Sequence, residues 1–330
     1  MNTILLLIAA LAPSADASLK KYQSSEVHMG TSFAISLYAK NPAAADKAMK
    51  AAFARVAALD GMLSDYRPDS ELNQLSQAAP TAAPIHVSSE LVDVLVVAQS
   101  LSKRTDGAFD VTVGPLTKLW RRARRRKEFP SPERLAEARE AVGFRFMKVH
   151  PESSSVELTV PNMRLDLGAI AKGYAGDEAL RVLRKHGITR ALVNAGGDVV
   201  ASDAPPGETG WRIGIAPLQP DSPPSRFLRL ANAAAATSGD AWQYVELNGK
   251  RYSHILDPRT GLGLTTRSSV TVVAPTGIIA DSLASAVSVL GEKAGLRVIA
   301  ETPETESLIV RVVGGVATTI ESPGLRCLTE

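Results

Sequence analysis

Hydrophobic and polar positions change rhythm about halfway along the chain. Thr31 to Ala39 alternates apolar and polar residues and predicts a strand. Ala43 to Met62 has helical spacing and is rich in Ala. Pro68 then ends regular structure, and Ser70 or Asp69 can cap a short helix after it. Ser88 to Arg104 reads as a helix through Leu91, Leu95, Val96 and Leu101, and it stops at Thr105-Asp106-Gly107. Pro115 to Lys127 and Pro132 to Val142 are helical, Phe146 to Val149 and Ser155 to Val160 are strands, and a further helix runs to about His186. Beyond Gly187 the short period takes over. Ala191 to Val200 reads as strand, Gly-Gly turn, strand. Trp211 to Ala216, Arg226 to Leu230 and Ala233 to Thr237 are strands, and Ser238-Gly239-Asp240 breaks the pattern. Asn248-Gly249 joins Tyr244 to Leu247 and Arg251 to Ile255 as a hairpin. Ser268 to Val273 is a strand, Ile278 to Leu290 and Lys293 to Ala300 are helices, and Ser307 to Val313 and Ala317 to Ile320 are closing strands. Helices first and strands later predict an α+β fold, with antiparallel or mixed sheets and packed helices in a single domain. No internal repeat is visible. A Gly-x-Gly-x-x-Gly turn after the first strand is missing, which argues against a Rossmann dinucleotide site.

Composition refines this picture. The chain has 330 residues, 45% apolar and 22% charged, as soluble globular chains do. Its formal charge of +3 is too small to imply a nucleic-acid partner. The run Arg121-Arg122-Ala123-Arg124-Arg125-Arg126-Lys127 departs locally from that balance. Such runs are usually solvated surface. This one can also steer an anion or touch a membrane surface. Cys327 is the single cysteine, so neither an internal disulfide nor a thiolate metal cage is available. Ile4 to Leu11 with Ala15-Asp16-Ala17 reads as a secretory signal peptide over residues 1–17, too short to span a bilayer. The expectation is an exported, periplasmic protein, soluble once cleaved, with its domain over residues 18–330.

The chemistry concentrates in a few stretches. Leu165 to Asp177 passes from an apolar stretch through small residues into a helix. A helix entry offers backbone N–H groups to a phosphate, Lys172 adds a cation, and Asp166 and Asp177 add oxygens for a metal or a hydroxyl. A plain strand-to-helix turn with a solvated lysine fits the same residues. Asp281 and Ser285 lie one helical turn apart among small neighbours and suit a hard cation, or else a helix cap and a hydroxyl turned onto the backbone. Tyr66 packs on the core or stacks on a planar ligand, and His254 is a packed residue or a general base. No esterase elbow or His-Glu-x-x-His motif is present. The remaining oxygen-rich set suits Mg²⁺-assisted chemistry at a phosphate or pyrophosphate.

In order along the chain, Met29-Gly30-Thr31, Ser64-Asp65-Tyr66 with Ser70 to Asn73, Gly107 to Asp110, Asp166 to Gly173, Asn194 to Asp198, Ser238 to Asp240, His254 to Gly261 and Ala280 to Ser285 resemble the FAD:protein FMN transferase family, or ApbE family. That resemblance implies an exported or membrane-attached enzyme that uses Mg²⁺ and takes FAD as substrate. It would transfer FMN to a Thr or Ser hydroxyl of an acceptor, typically a flavin-carrying subunit of a membrane redox complex, and release AMP. It implies FAD contacts at Met29, Tyr66, Ala108, Phe109, Asp110, Asp166, Lys172 and His254. It implies metal ligation by Asp281, Ser285 and the Ala169 carbonyl, and proton transfer by His254 or Asp281. FAD hydrolysis to FMN and AMP, and FAD binding without turnover, are the competing expectations. The chain departs from the resemblance at Ser285, where the family usually has Thr. Serine keeps the hydroxyl and loses the methyl group that fixes its rotamer.

Overall fold

A computed structural model describes residues 18–218, 222–240 and 243–329, so the expected signal peptide at residues 1–17 lies outside the described residues. Strands β1 (Lys20–His28) and β2 (Thr31–Ala39) form a hairpin and lead into helix α1 (Pro42–Leu63). Then come α2 (Glu71–Gln77), β3 (Ile85–His86), α3 (Ser89–Arg104), α4 (Gly114–Arg126), α5 (Pro132–Glu140), β4 (Met147–His150) and β5 (Ser155–Leu158). Helix α6 (Ala171–Lys185) precedes β6 (Ala191–Ala195), β7 (Asp198–Ala201), β8 (Trp211–Gly214), β9 (Phe227–Leu230), β10 (Ala233–Gly239), β11 (Tyr244–Leu247), β12 (Lys250–Ser253), β13 (Leu256–Asp257) and β14 (Leu262–Gly263). Strand β15 (Ser268–Ala274), helix α7 (Gly277–Ala300), β16 (Glu306–Val313) and β17 (Val316–Glu321) follow. In α7 the backbone breaks at Gly291 (φ 73°), a left-handed conformation that glycine accepts without strain, so the two expected helices lie end to end.

An eight-stranded sheet, ordered β1-β2-β6-β7-β10-β15-β16-β17, carries the molecule. Its strand pairs are antiparallel. This lies within the expected antiparallel or mixed arrangement, and an isolated parallel bridge joins Val113 and Arg164 outside the named strands. On one face Phe33, Ile35, Leu37, Val193 and Val272 are buried in one cluster with Phe53 and Val56 of α1, Ala175 and Ala179 of α6, and Leu283 and Val287 of α7. Burial of that continuous apolar surface is the dominant stabilising term. On the other face the β8–β9 ribbon supplies Trp211, Leu228 and Leu230 against Val199, Ala235 and Leu308. A third cluster joins Leu116 and Trp120 of α4 to Val245, Leu247 and Leu256.

Two sequence expectations change. Strand β1 gave no periodic signal because it lies at the sheet edge and is almost wholly exposed. Ser238 and Gly239 do not break β10. They continue it, in register with Val270 and Ser269 of β15, because a central position overrides weak local propensity.

Candidate functional site

The site forms where α6 crosses α7 beside the central strands. Gly173 and Gly277 make the crossing possible: a Cβ on Gly173 would lie 2.0 Å from the Gly277 carbonyl oxygen, and one on Gly277 would lie 2.4 Å from the Gly173 oxygen. At that contact the Gly173 N–H donates to Asp281 Oδ2 at 3.0 Å instead of closing a helical turn onto the Ala169 carbonyl. Asp281 thereby ties the two helices together, and it does not cap its own helix. Asp177, expected to turn its oxygens to a metal or hydroxyl, is committed elsewhere. Its carboxylate accepts from Gly277 N at 2.7 Å and Ile278 N at 2.9 Å, and so caps α7. Burial pushes that carboxyl up to about 6.

Lys172 follows the same entry and pairs with Asp198, whose other oxygen accepts from Thr237 N at 3.2 Å. The alternative of a merely solvated lysine thus gives way to a partly buried ion pair. Burial alone would lower the Lys172 ammonium, but Asp281 and Asp198 outweigh it and hold it high. The Asp281 carboxyl is pushed up to about 7, first by burial and then by Asp198, against the opposing Lys172 charge. Two carboxylates thus face one ammonium. Ser285 Oγ lies 2.9 Å from Ser238 Oγ, so it meets a hydroxyl across the helix–sheet gap rather than a backbone carbonyl. Asp281 Oδ1, the Ser285 hydroxyl and the Ala169 carbonyl are all oxygen donors, and the local charge is short of a cation. This donor set fits the Mg²⁺ implied by the sequence.

A second group stands on α4. Arg121, the first residue of the basic run, turns inward. It pairs with Asp65 and donates to Asp166 at 2.9 Å, and its guanidinium lies 4.1 Å from the centre of the Tyr66 ring. Asp166 also accepts from the Gly168 N–H at 2.9 Å. Tyr66 keeps 73% of its surface exposed, so the ring is covered by Arg121 and open to solvent rather than packed in the core. Asp65 is pushed up to about 6 by burial and the Asp166 charge, with Arg121 opposing both. If the nucleotide implied by the sequence binds against Tyr66 and Asp166, Arg121→Gln is expected to raise its KM about tenfold at pH 8. The defect should shrink at pH 6, where Asp65 takes up a proton, and kcat should change less. Steady-state kinetics at both pH values checks this.

The other expected residues are placed as follows. His254 Nδ1 is 3.0 Å from the Gln243 carbonyl. Its side chain reaches solvent, yet crowding by protein atoms lowers its pKa first, with the Arg124 and Lys172 charges adding to that. Arg124 in turn donates to the Gln243 side chain at 3.1 Å. Met29 N donates to Asp60 Oδ2 at 3.1 Å in the hairpin turn between β1 and β2. Ala108 and Phe109 are buried, Phe109 in the main core. Asp110 accepts from Thr112 N and Oγ1 and from Phe144 N, at 2.7–2.9 Å. Its carboxylate braces a loop, and burial raises its pKa. Lys172, Asp281 and the His254 ring thus share one electrostatic neighbourhood. Asp198 and Arg121 were not expected at the site. The Asp directly after the Gly196-Gly197 turn, and the position of Arg121 next to Trp120, were the signals available in the sequence.

Comparison with known proteins follows the same lines. The family profile described as the ApbE family matches residues 29–309. A protein of Haemophilus influenzae named FAD:protein FMN transferase is 34% identical over 281 residues, covering 82% of this chain and 80% of its own. The apo structure of the Pseudomonas stutzeri flavinyl transferase ApbE superposes with a TM-score of 0.83 at 28% identity, covering 94% of this chain and 97% of that one. The Vibrio cholerae flavin transferase ApbE gives the same TM-score at 29% identity, covering 94% and 99%.

Proposed function

This chain belongs to the ApbE family and is an FAD:protein FMN transferase, and from that premise we propose the finer chemistry: Mg²⁺-dependent transfer of FMN from FAD to a Thr or Ser hydroxyl of an acceptor protein, with release of AMP. The observation that carries this reading is the Gly173 N–H donating to Asp281 across the α6–α7 contact, next to the Lys172–Asp198 pair. The acceptor oxygen attacks the phosphorus of the FMN half. A new O–P bond forms, the bond from that phosphorus to the bridging oxygen breaks, and AMP leaves with that oxygen. The hydroxyl proton passes to a base, and the lowered pKa of His254 keeps its imidazole neutral and able to accept it. Lys172 stabilises the negative charge that gathers on the pyrophosphate. Asp166 and Tyr66, braced by Arg121, orient the nucleotide. Asp281, Ser285 and the Ala169 carbonyl would hold Mg²⁺, which supplies charge neutralisation at the leaving phosphate.

The acceptor is proposed to be a flavin-carrying subunit of a membrane redox complex. Among the described residues no helix is long and apolar enough to cross a membrane. Export by way of residues 1–17 belongs to the same proposal, and sequencing the N-terminus of the exported protein tests it.

Incubation with FAD, Mg²⁺ and a flavin-accepting domain, followed by mass spectrometry, tests the reaction. Covalent FMN on a Thr or Ser of the acceptor is expected. Free FMN and AMP without labelling would make the chain a hydrolase of FAD, and unchanged bound FAD would make it a binder. Ser285→Ala is expected to raise the Mg²⁺ concentration for half-maximal transfer about tenfold, and Ser285→Thr should preserve it. A magnesium titration of the transfer rate reads both.

A further inference from the structure

Helix α4 carries cations on two sides. Arg121 and Arg124 turn toward Asp65, Asp166 and Gln243, as described above. Arg122 and Arg126 line a separate concavity of about 340 Å³ under the α4–α5 connection, where Arg134 of α5 joins them. Among the described residues these three side chains have no hydrogen bond or ion pair, in contrast to Arg55, Arg121, Arg181, Arg251 and Arg259, which are all paired. They are close enough to repel one another. Arg122 is held below its ordinary value first by Arg126 and then by Arg134. Glu128 is the one carboxylate in the lining, so the concavity presents three cations against one anion.

The rest of the lining is apolar. Leu119 and Phe129 form part of the wall. Phe129 is 38% exposed, and its ring is fixed edge-on against Trp120 at 5.5 Å and Tyr252 at 5.4 Å. Ser131 caps α5 at the same rim, so the positive end of that helix also faces the opening. A fixed aromatic wall beside unpaired guanidinium forks selects a ligand with two parts: a doubly charged phosphoryl group and an apolar body.

We propose that the concavity formed by Arg122, Arg126, Arg134 and Phe129 is a second anion site that binds a phosphate monoester carried on an aromatic or aliphatic group. The charge excess matches a dianion, and the ring wall matches the ester. The ligand has two sources, a free phosphate ester or the headgroup of a phosphomonoester lipid, and the same residues recognise either.

Binding to the full chain tests this, with the nucleotide site kept occupied by FAD. Calorimetric titration with 1-naphthyl phosphate probes the free source. Flotation with phosphatidylcholine vesicles, with and without phosphatidic acid, probes the lipid source. Saturable binding in either arm is expected, and the arm that responds identifies the source. The double variant Arg122→Gln/Arg134→Gln should lose tenfold or more in affinity. Arg125→Gln, which neutralises an α4 arginine outside the lining, should leave affinity within twofold, and flavin transfer should be unchanged in both variants. The proposal is overturned by an absence of saturable binding in both arms. It is also overturned if the double variant binds like the wild type, or if Arg125→Gln weakens binding as much as the double variant does, since attraction would then be general surface charge. Equal binding of 1-naphthol would remove the phosphoryl group from the assignment and overturn it as well.

Discussion

Asp281→Asn is expected to lower FMN transfer by roughly 10²–10³-fold or more while leaving the protein folded and FAD binding largely retained. The amide still accepts from the Gly173 N–H, so the tie between α6 and α7 survives. What disappears is the negative charge that would hold the cation. The stability response has the opposite sign from the activity response. The Asp281 carboxyl is pushed up from its ordinary 3.8 to about 7, chiefly by burial. A carboxyl raised in the folded state favours folding in its protonated form. Its contribution is complete below the unfolded value and is lost as pH rises through about 7. Without Mg²⁺ or FAD, the wild-type thermal midpoint should therefore fall between pH 5 and pH 8, and Asp65 and Asp177, both raised to about 6, should add to that fall. The Asn variant lacks the Asp281 part, so its midpoint at pH 8 should equal or exceed that of the wild type. Calorimetry at the two pH values measures this. Full transfer activity in the variant would remove Asp281 from the chemistry, and a collapsed midpoint would make its role structural.

Gly173→Ala should cost about 3 kcal/mol or more, a fall in thermal midpoint of roughly 5 °C, and most of the activity with it. The added Cβ would meet Gly277 O at 2.0 Å, Gly277 C at 2.4 Å and Asp281 Cβ at 2.9 Å. Two of these are backbone atoms and cannot swing aside, so the helices must separate. Separation moves Asp281 away from Ala169 and Lys172. The same substitution at Gly61 provides the control. That glycine lies inside α1, and an added Cβ there would meet nothing within 4 Å. Gly61→Ala should stabilise the protein by about 0.5–1 kcal/mol. Opposite signs from one chemical change would separate close approach from helix propensity. Thermal melts of both variants, with transfer assays beside them, decide it.

Most of the scaffold was legible because its elements bury one face. The alternation at Phe33, Ile35 and Leu37 and the apolar positions of α3 each mark a side packed on the core. Strand β1 was hidden because an exposed edge strand has no buried face to mark. The ordered motifs brought Lys172, Asp281 and Ser285 into view, yet local sequence could not supply their partners. Asp177 looked available because Gly277, which it caps, is 100 residues away. The Lys172 ion pair was invisible because Asp198 lies on another element. Arg121 was submerged in a run of similar residues. On a helix whose buried side is marked by Leu116, Trp120 and Ala123, only some of those arginines can turn inward, and that distinction needs the packed neighbours.

The tie between Gly173 and Asp281 spans 108 residues, and the groups around it come from Asp65 through to α7. Such long-range closure forms late, because the loops between its ends must be ordered first. During synthesis the ribosome finishes α7 only after β15, whose neighbour β10 supplies Ser238. A chain truncated before α7 would still carry Lys172, Asp166 and Tyr66 but would lack the carboxylate that completes the group. On the proposed chemistry, the group that would hold the cation is thus completed only when α7 is made, and a chain cut short of α7 is expected to lack FMN transfer.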